Sequence, residues 1–344
     1  MDIASLPKVL LHDHLDGGLR PTTILELASE IGYDGLPADT AEGLEQWFDQ
    51  GTSGSLPRYL EAFTHTVAVL QTAPAIERVA YECGIDLAAD GVVYFESRYA
   101  PSLSTEGGLT CRQVLEAMAA GFRRAEREAG VDWGIIVDAM RQDTDSVEVA
   151  KVAIESRDLG VVAFDLAGPE AGFPPDDHLE ACQMIREANM GLTIHAGEAD
   201  GPDSMWRAIQ RCGAHRAGHG FRIIEDCMVE EGAIIALGSL ATYVRDFKVP
   251  LEVSPYSNTH TAGIEMTSHP IRLLHDAGFN VTVNTDNRLM SRTSMTKEMT
   301  ALHESLGFTR RDLERLTMRA LKASFSSQAV KDRLHKVIRD GYAG

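Results

Sequence analysis

Eight short apolar runs punctuate this chain, and each ends in a polar or ionisable residue. The first ends in His12-Asp13-His14; residues two apart on a strand share a face, so His12 and His14 can aim both imidazoles at one point. The run ends predict strands near residues 8–12, 92–98, 134–139, 161–166, 192–196, 216–218, 251–254 and 280–285. Most of these lack period-2 alternation and are apolar on both faces, as a parallel sheet sandwiched by helices requires. Helical patterns follow most of them, over 112–129, 146–159, 179–189, 204–212 and 269–277. Eight such units predict an α/β chain closed into a (β/α)₈ TIM barrel, one domain over residues 1–344. About 80 residues separate the first two strands, far more than an ordinary crossover needs. That stretch, roughly residues 22–90, is expected to be a helical cap inserted after the first strand.

Charge and composition limit the partners. A net charge of -19 repels phosphate backbones and anionic lipid, so neither nucleic acid nor a membrane surface is expected, and a small solute is. No apolar segment nears the roughly 20 residues that span a bilayer, and the N-terminus runs into a strand-like segment with no leader pattern. Five single cysteines, odd in number, fit reduced thiols. Together these features predict a cytoplasmic protein.

In a barrel of this kind the C-terminal strand ends surround one cavity. His12, His14, Glu96, Asp138, Asp165, His195, His219, Ser254 and Asp286 are all expected at that edge. A lone strand-end His is more often structural, and a lone Asp is more often a helix cap. The constellation changes that balance: three His and one Asp, His12, His14, His195 and Asp286, form a ligand set suited to Zn²⁺ with an open position for water. The lysines sit at strand starts or in helices and loops, where no modified lysine can bridge two ions. One metal per chain is therefore expected, with Glu96 left as a bridge should there be a second.

Beyond the ligands, several blocks stand out: Pro7-Lys8-Val9-Leu10-Leu11-His12-Asp13-His14-Leu15-Asp16-Gly17-Gly18, Ser55-Leu56-Pro57-Arg58-Tyr59-Leu60-Glu61-Ala62-Phe63, Glu96-Ser97-Arg98-Tyr99-Ala100-Pro101, Phe164-Asp165-Leu166-Ala167-Gly168, His195-Ala196-Gly197-Glu198, Gly218-His219-Gly220 and Asn284-Thr285-Asp286. With these blocks, nearly the whole chain resembles the adenosine deaminases of the metal-dependent amidohydrolase superfamily. Many amidohydrolases share the first and last blocks; His-Ala-Gly-Glu followed by Gly-His-Gly is specific to hydrolysis of a purine 6-amino group. The resemblance implies that His12, His14, His195 and Asp286 bind the metal, and that Glu198, His219 and Asp286 are catalytic. It also implies that Gly168 N–H bonds purine N3, that Asp16 accepts from the ribose 5′-hydroxyl beside His14, and that Leu56, Tyr59, Leu60 and Phe63 form an apolar lid. A core-facing helical stripe has the same spacing as that lid.

The implied chemistry suits these residue types. A bound metal lowers the pKa of water to about 7, and a carboxylic acid at N1 relieves the charge that builds on the ring, worth roughly 10²–10⁴-fold. One position departs from the family pattern: Asn287 stands where most members have a second Asp that must be protonated to donate to N7. An amide donates without that requirement, which preserves the contact while leaving the exact 6-aminopurine open. The main expectation is zinc-dependent hydrolysis of adenosine or 2′-deoxyadenosine. Adenine or a 5′-modified adenosine such as aminodeoxyfutalosine is the alternative within the class. A catalytically silent ligand-binding relative is disfavoured, since a pure binder needs no proton donor at N1. Cytidine-type zinc deaminases drop out because the chain has no Cys-x-x-Cys.

Overall fold

The computed structural model describes residues 1–49 and 56–343. Its centre is a sheet of eight parallel strands. They are β1 (Lys8–His14), β2 (Val92–Tyr99), β3 (Asp132–Met140), β4 (Val161–Ala167), β5 (Gly191–Ala196), β6 (Arg216–His219), β9 (Pro250–Val253) and β10 (Asn280–Val283), hydrogen-bonded in that order. A parallel bridge between Asp13 and Asp286 joins the first strand to the last, with Asp286 N–H donating to His12 C=O at 2.9 Å. All eight expected strands are present, in a TIM-barrel arrangement. Most of their apolar side chains are buried, on both faces; in β1 every residue but His14 is buried.

Helices cover the outside. Between β1 and β2 lie α1 (Pro21–Ile31), α2 (Ala41–Phe48), α3 (Leu56–Leu60), α4 (Phe63–Ala68) and α5 (Ala73–Ala89). Thr40 and Thr72 start α2 and α5 by accepting backbone N–H bonds from Gly43 and Ala75, as preferred N-cap residues do. The expected helix near 204–212 divides into Pro202–Trp206 and a π-helical turn over Arg207–Arg211.

One element was not expected. Between β6 and β9 the chain makes an antiparallel hairpin of β7 (Cys227–Glu230) and β8 (Ala233–Leu237). Its two-residue turn has positive φ at both Glu231 (48°) and Gly232 (76°), the conformation that matches the twist of paired strands. Its short apolar runs resemble buried strands in sequence, yet Met228, Val229 and Ile235 are exposed. The five cysteines are free thiols, and among the described residues no helix is long and apolar enough to cross a membrane.

Candidate metal centre and substrate cavity

At the C-terminal ends of β1, β5 and β10 four donor atoms converge. His14 Nε2 lies 3.2 Å from His195 Nε2 and 3.3 Å from Asp286 Oδ1, which in turn lies 3.4 Å from His12 Nε2. Ligands about 2.0–2.1 Å from a tetrahedral zinc are separated by roughly 3.3 Å, and these three contacts, from Asp286 to His12 and His14 and from His14 to His195, match that separation. His12 Nε2 is buried and makes no hydrogen bond, as an atom reserved for a metal should. Burial lowers the pKa of His14, His195 and His219, well below the usual imidazole value for His14 and His219, which favours the neutral, ligating form. At Asp286 burial would raise the carboxyl, but the close approach of His12 Nε2, then the charge of His14, holds it well below the ordinary range.

Behind the ligands stands a second layer of charge. His12 Nδ1 is 3.0 Å from Glu252 Oε2, and His195 Nδ1 is 3.0 Å from Asp165 Oδ2. Arg98 is fully buried between these carboxylates; it bonds Asp165 through Nη1 and Glu252 through Nη2 at 2.8 Å. Arg216 holds the far side of Glu252 through Nε at 2.5 Å and reaches Glu96 through Nη2 at 2.7 Å. Burial would raise the Glu252 carboxyl, but Arg216 and Arg98 hold it well below its usual value. Carboxylates that accept from the second nitrogen of a ligating His fix its tautomer and ring orientation.

Glu96 therefore does not stand at the metal edge as expected. It precedes the end of β2 by three residues, and its carboxylate takes Arg216, Tyr94 Oη (2.8 Å) and Phe325 N–H (2.6 Å). A side chain so occupied is not placed to bridge a second ion.

The proton-handling candidates adjoin the donor cluster. Glu198 Oε1 accepts from Thr261 Oγ1 at 2.8 Å, and Oε2 lies 3.4 Å from His219 Nε2. Burial first, then the charge of Asp286, raises the Glu198 carboxyl well above its ordinary value, which favours the protonated form. His219 Nδ1 is 3.0 Å from the Asn258 side-chain amide, and Ser257 Oγ donates to Asp286 Oδ2 at 2.5 Å. His219 (φ 62°) and Asp286 (φ 55°) both adopt the left-handed backbone region, strain of the kind that gathers at functional sites.

A cavity of about 320 Å³ opens beside this centre, lined by His14, Asp16, Leu60, Phe63, Asp138 and Gly168 among others. That is the lower end of the usual small-molecule range. Leu60, Phe63, Thr64 and Val67, on one face of the turns through α3 and α4, supply its apolar wall. Leu56 and Tyr59 are buried outside that lining, Tyr59 with its hydroxyl 3.0 Å from Ser291 Oγ. Ser55, the first residue of the lid block, lies outside the described residues. Asp16 Oδ1 has no hydrogen-bond partner, and burial pushes its pKa up to about 7. Gly168 has φ 96°, and a Cβ there would stand 2.5 Å from Gln142 Oε1, so no other residue presents this N–H in the same way. Asn287 sits against Gly17, where a Cβ would fall 2.1 Å from Asn287 Oδ1. That oxygen accepts no hydrogen bond, so it does not cap the turn at Arg288.

Sequence reasoning passed over Glu252, Arg98, Arg216, Ser257 and Asn258 as site residues. The available signal was ionisable residues inside strand-forming apolar runs, Arg98 and Glu252 above all, which are buried only when paired.

A family model described as adenosine deaminase matches residues 7–340. The chain is 51% identical over 351 residues to adenosine deaminase 1 of Streptomyces coelicolor, covering 99% of this chain and 88% of that one. It is 53% identical over 331 residues to the adenosine deaminase of Mycobacterium leprae, covering 94% and 91%. Among solved structures it shares its fold with the adenine deaminase of Arthrobacter aurescens, with a TM-score of 0.89 at 24% identity and coverage of 98% and 100%. The N6-mAMP deaminase of Arabidopsis superposes with a TM-score of 0.83 at 27% identity, covering 98% and 99%.

Proposed function

This chain belongs to the adenosine deaminase family, and from that premise we propose how its residues carry out the reaction. The enzyme hydrolyses the 6-amino group of adenosine to give inosine and ammonia; we extend the activity to 2′-deoxyadenosine. The observation that carries this reading is the run of 3.2–3.4 Å contacts from His12 through Asp286 and His14 to His195, beside the buried Glu198 carboxyl.

Those four residues would hold one Zn²⁺, which when bound lowers the pKa of the attacking water to about 7. His219 Nε2 and Asp286 Oδ2 orient that water toward C6; His219 takes up one of its protons and passes it to the departing amine, which leaves as ammonia while the C6 hydroxyl proton restores Glu198. Glu198 delivers its proton to N1 as C6 becomes tetrahedral, so the ring never carries full negative charge. Gly168 N–H bonds N3, Asn287 donates its side-chain amide to N7, and Asp16 with His14 takes the ribose 5′-hydroxyl. The helical segment over roughly 22–90 acts as a cap, with Leu60 and Phe63 covering the base and Leu56 and Tyr59 backing them. All of this lies within one domain. Asp16 and Asp138 line the cavity with no Lys or Arg among the described lining residues, which favours a nucleoside over a nucleotide. The single reduced cysteines favour a cytoplasmic location.

The test is a panel of adenosine, 2′-deoxyadenosine, adenine and AMP, followed by loss of the 6-amino absorbance. Adenosine and its 2′-deoxy form should give the highest kcat/KM. A clear preference for adenine or AMP would overturn the reading.

A further inference from the structure

Glu170 has no role in the chemistry so far, yet it is the most heavily engaged carboxylate near the site. It lies two residues beyond Gly168 in the loop after β4 and is 3% exposed. Its Oε1 accepts from Gly197 N–H at 2.7 Å and Ser204 Oγ at 2.6 Å. Its Oε2 accepts from the N–H groups of Glu198 (3.0 Å), Ala199 (2.7 Å) and Asp200 (2.9 Å). Four consecutive amides and one hydroxyl thus converge on one buried anion.

A chain leaving a strand loses its ladder partners, and its buried N–H groups must find others. Here a carboxylate supplies them with charge-assisted bonds, about twice as strong as neutral ones. On the other side, Arg141 Nη2 donates to the His195 carbonyl at 2.8 Å. The segment from His195 to Asp200 is therefore held at its first carbonyl by a cation and at its amides by an anion. Glu198 springs from the middle of that clamp.

We propose that Glu170 is the positioning residue for Glu198, tying the loop that presents Gly168 to the loop that presents the acid. This rests on the assignment of Glu198 to N1 and Gly168 to N3. Those two atoms belong to one rigid ring, so the two loops must keep a constant separation for both bonds to form. A displacement of about 1 Å at such a contact can cost roughly 100-fold in rate. Because Glu198 acts mainly as the transition state forms, loosening it should lower kcat and spare KM.

The test is Glu170→Gln, which keeps the volume but turns an NH₂ toward backbone donors. With adenosine, kcat should fall about 10-fold or more while KM stays within roughly 3-fold and metal content is unchanged. In a Glu198→Gln background the same substitution should lower kcat by less than about 3-fold, because its effect runs through the missing acid. An unchanged kcat, or an equal loss in both backgrounds, would overturn the proposal. Should Glu170→Gln fail to fold, Ser204→Ala removes a single donor from the same carboxylate. It should lower kcat about 3-fold only when Glu198 is present, and no change, or the same change without Glu198, counts against the proposal. A wild-type enzyme inactive on adenosine would instead strike the assignment of the site, so the two failures are distinguishable.

Discussion

Glu252 Oε2 lies 3.0 Å from His12 Nδ1, at the opposite edge of the ring from the nitrogen that faces the metal centre. The contact turns His12 Nε2 toward Asp286 and leaves it free to bind an ion. Partners of this kind are typically worth 10–100-fold in metal affinity. Glu252→Gln should therefore lower zinc affinity by about that factor in a chelator competition, with more loss if Arg98 and Arg216 are left unpaired. Elemental analysis of the wild-type protein should give one zinc per chain. Two ions per chain would contradict the single-ion site, and unaltered affinity in the variant would remove Glu252 from the role.

Glu198→Gln can still donate a hydrogen bond to N1 but has no proton to deliver. Turnover should fall by about 100-fold or more with little change in substrate binding. The Glu198 carboxyl is raised well above its usual value, by burial first and then by Asp286, which favours the protonated acid. Wild-type kcat should decline on the alkaline side as that proton is lost. A variant with near-normal turnover would take the acid role away from Glu198.

Asp16 serves the sugar, so Asp16→Ala should weaken adenosine far more than adenine. Losing a hydrogen bond to a charged group costs about 1.5–3 kcal/mol, or roughly 10- to 150-fold in KM. Its carboxyl is pushed up to about 7, mainly by burial, so it carries charge only above that pH. The KM for adenosine should therefore rise as pH falls through about 7, a dependence that Asp16→Ala abolishes. Equal losses for nucleoside and free base would contradict the assignment.

Asn287 offers a cleaner comparison of ligands. If its amide donates to N7, a 7-deaza analogue leaves that donor unpaired and should bind worse by about 1–3 kcal/mol. In Asn287→Ala adenosine should weaken while the analogue changes little, isolating one contact. Inhibition constants for both ligands on both proteins decide it. An advantage of adenosine that survives the substitution would assign N7 to another residue.

The chain's local patterns determined a good deal alone. Strand ends are local features, a run of apolar residues stopped by a polar one, and they place His12, His14, His195, His219 and Asp286 at one edge of a barrel whatever the details of packing. The spacing from His195 to Glu198 likewise holds the acid within one loop of a ligand. Only the tertiary structure decided what stands behind them. Glu252 meets His12 across 240 positions of sequence, and Arg98 meets Glu252 across 154; no periodicity records such pairs, because barrel closure creates them. The same holds for Glu170, whose five donors lie 27 to 34 residues away. Helical spacing marked residues 56–63 as a stripe but left open which side chains face the cavity; packing turned Tyr59 to Ser291 and left Leu60 and Phe63 at the wall. The exposed hairpin β7–β8 escaped notice because its short apolar strands look in sequence like buried ones, and burial is a property of the folded chain.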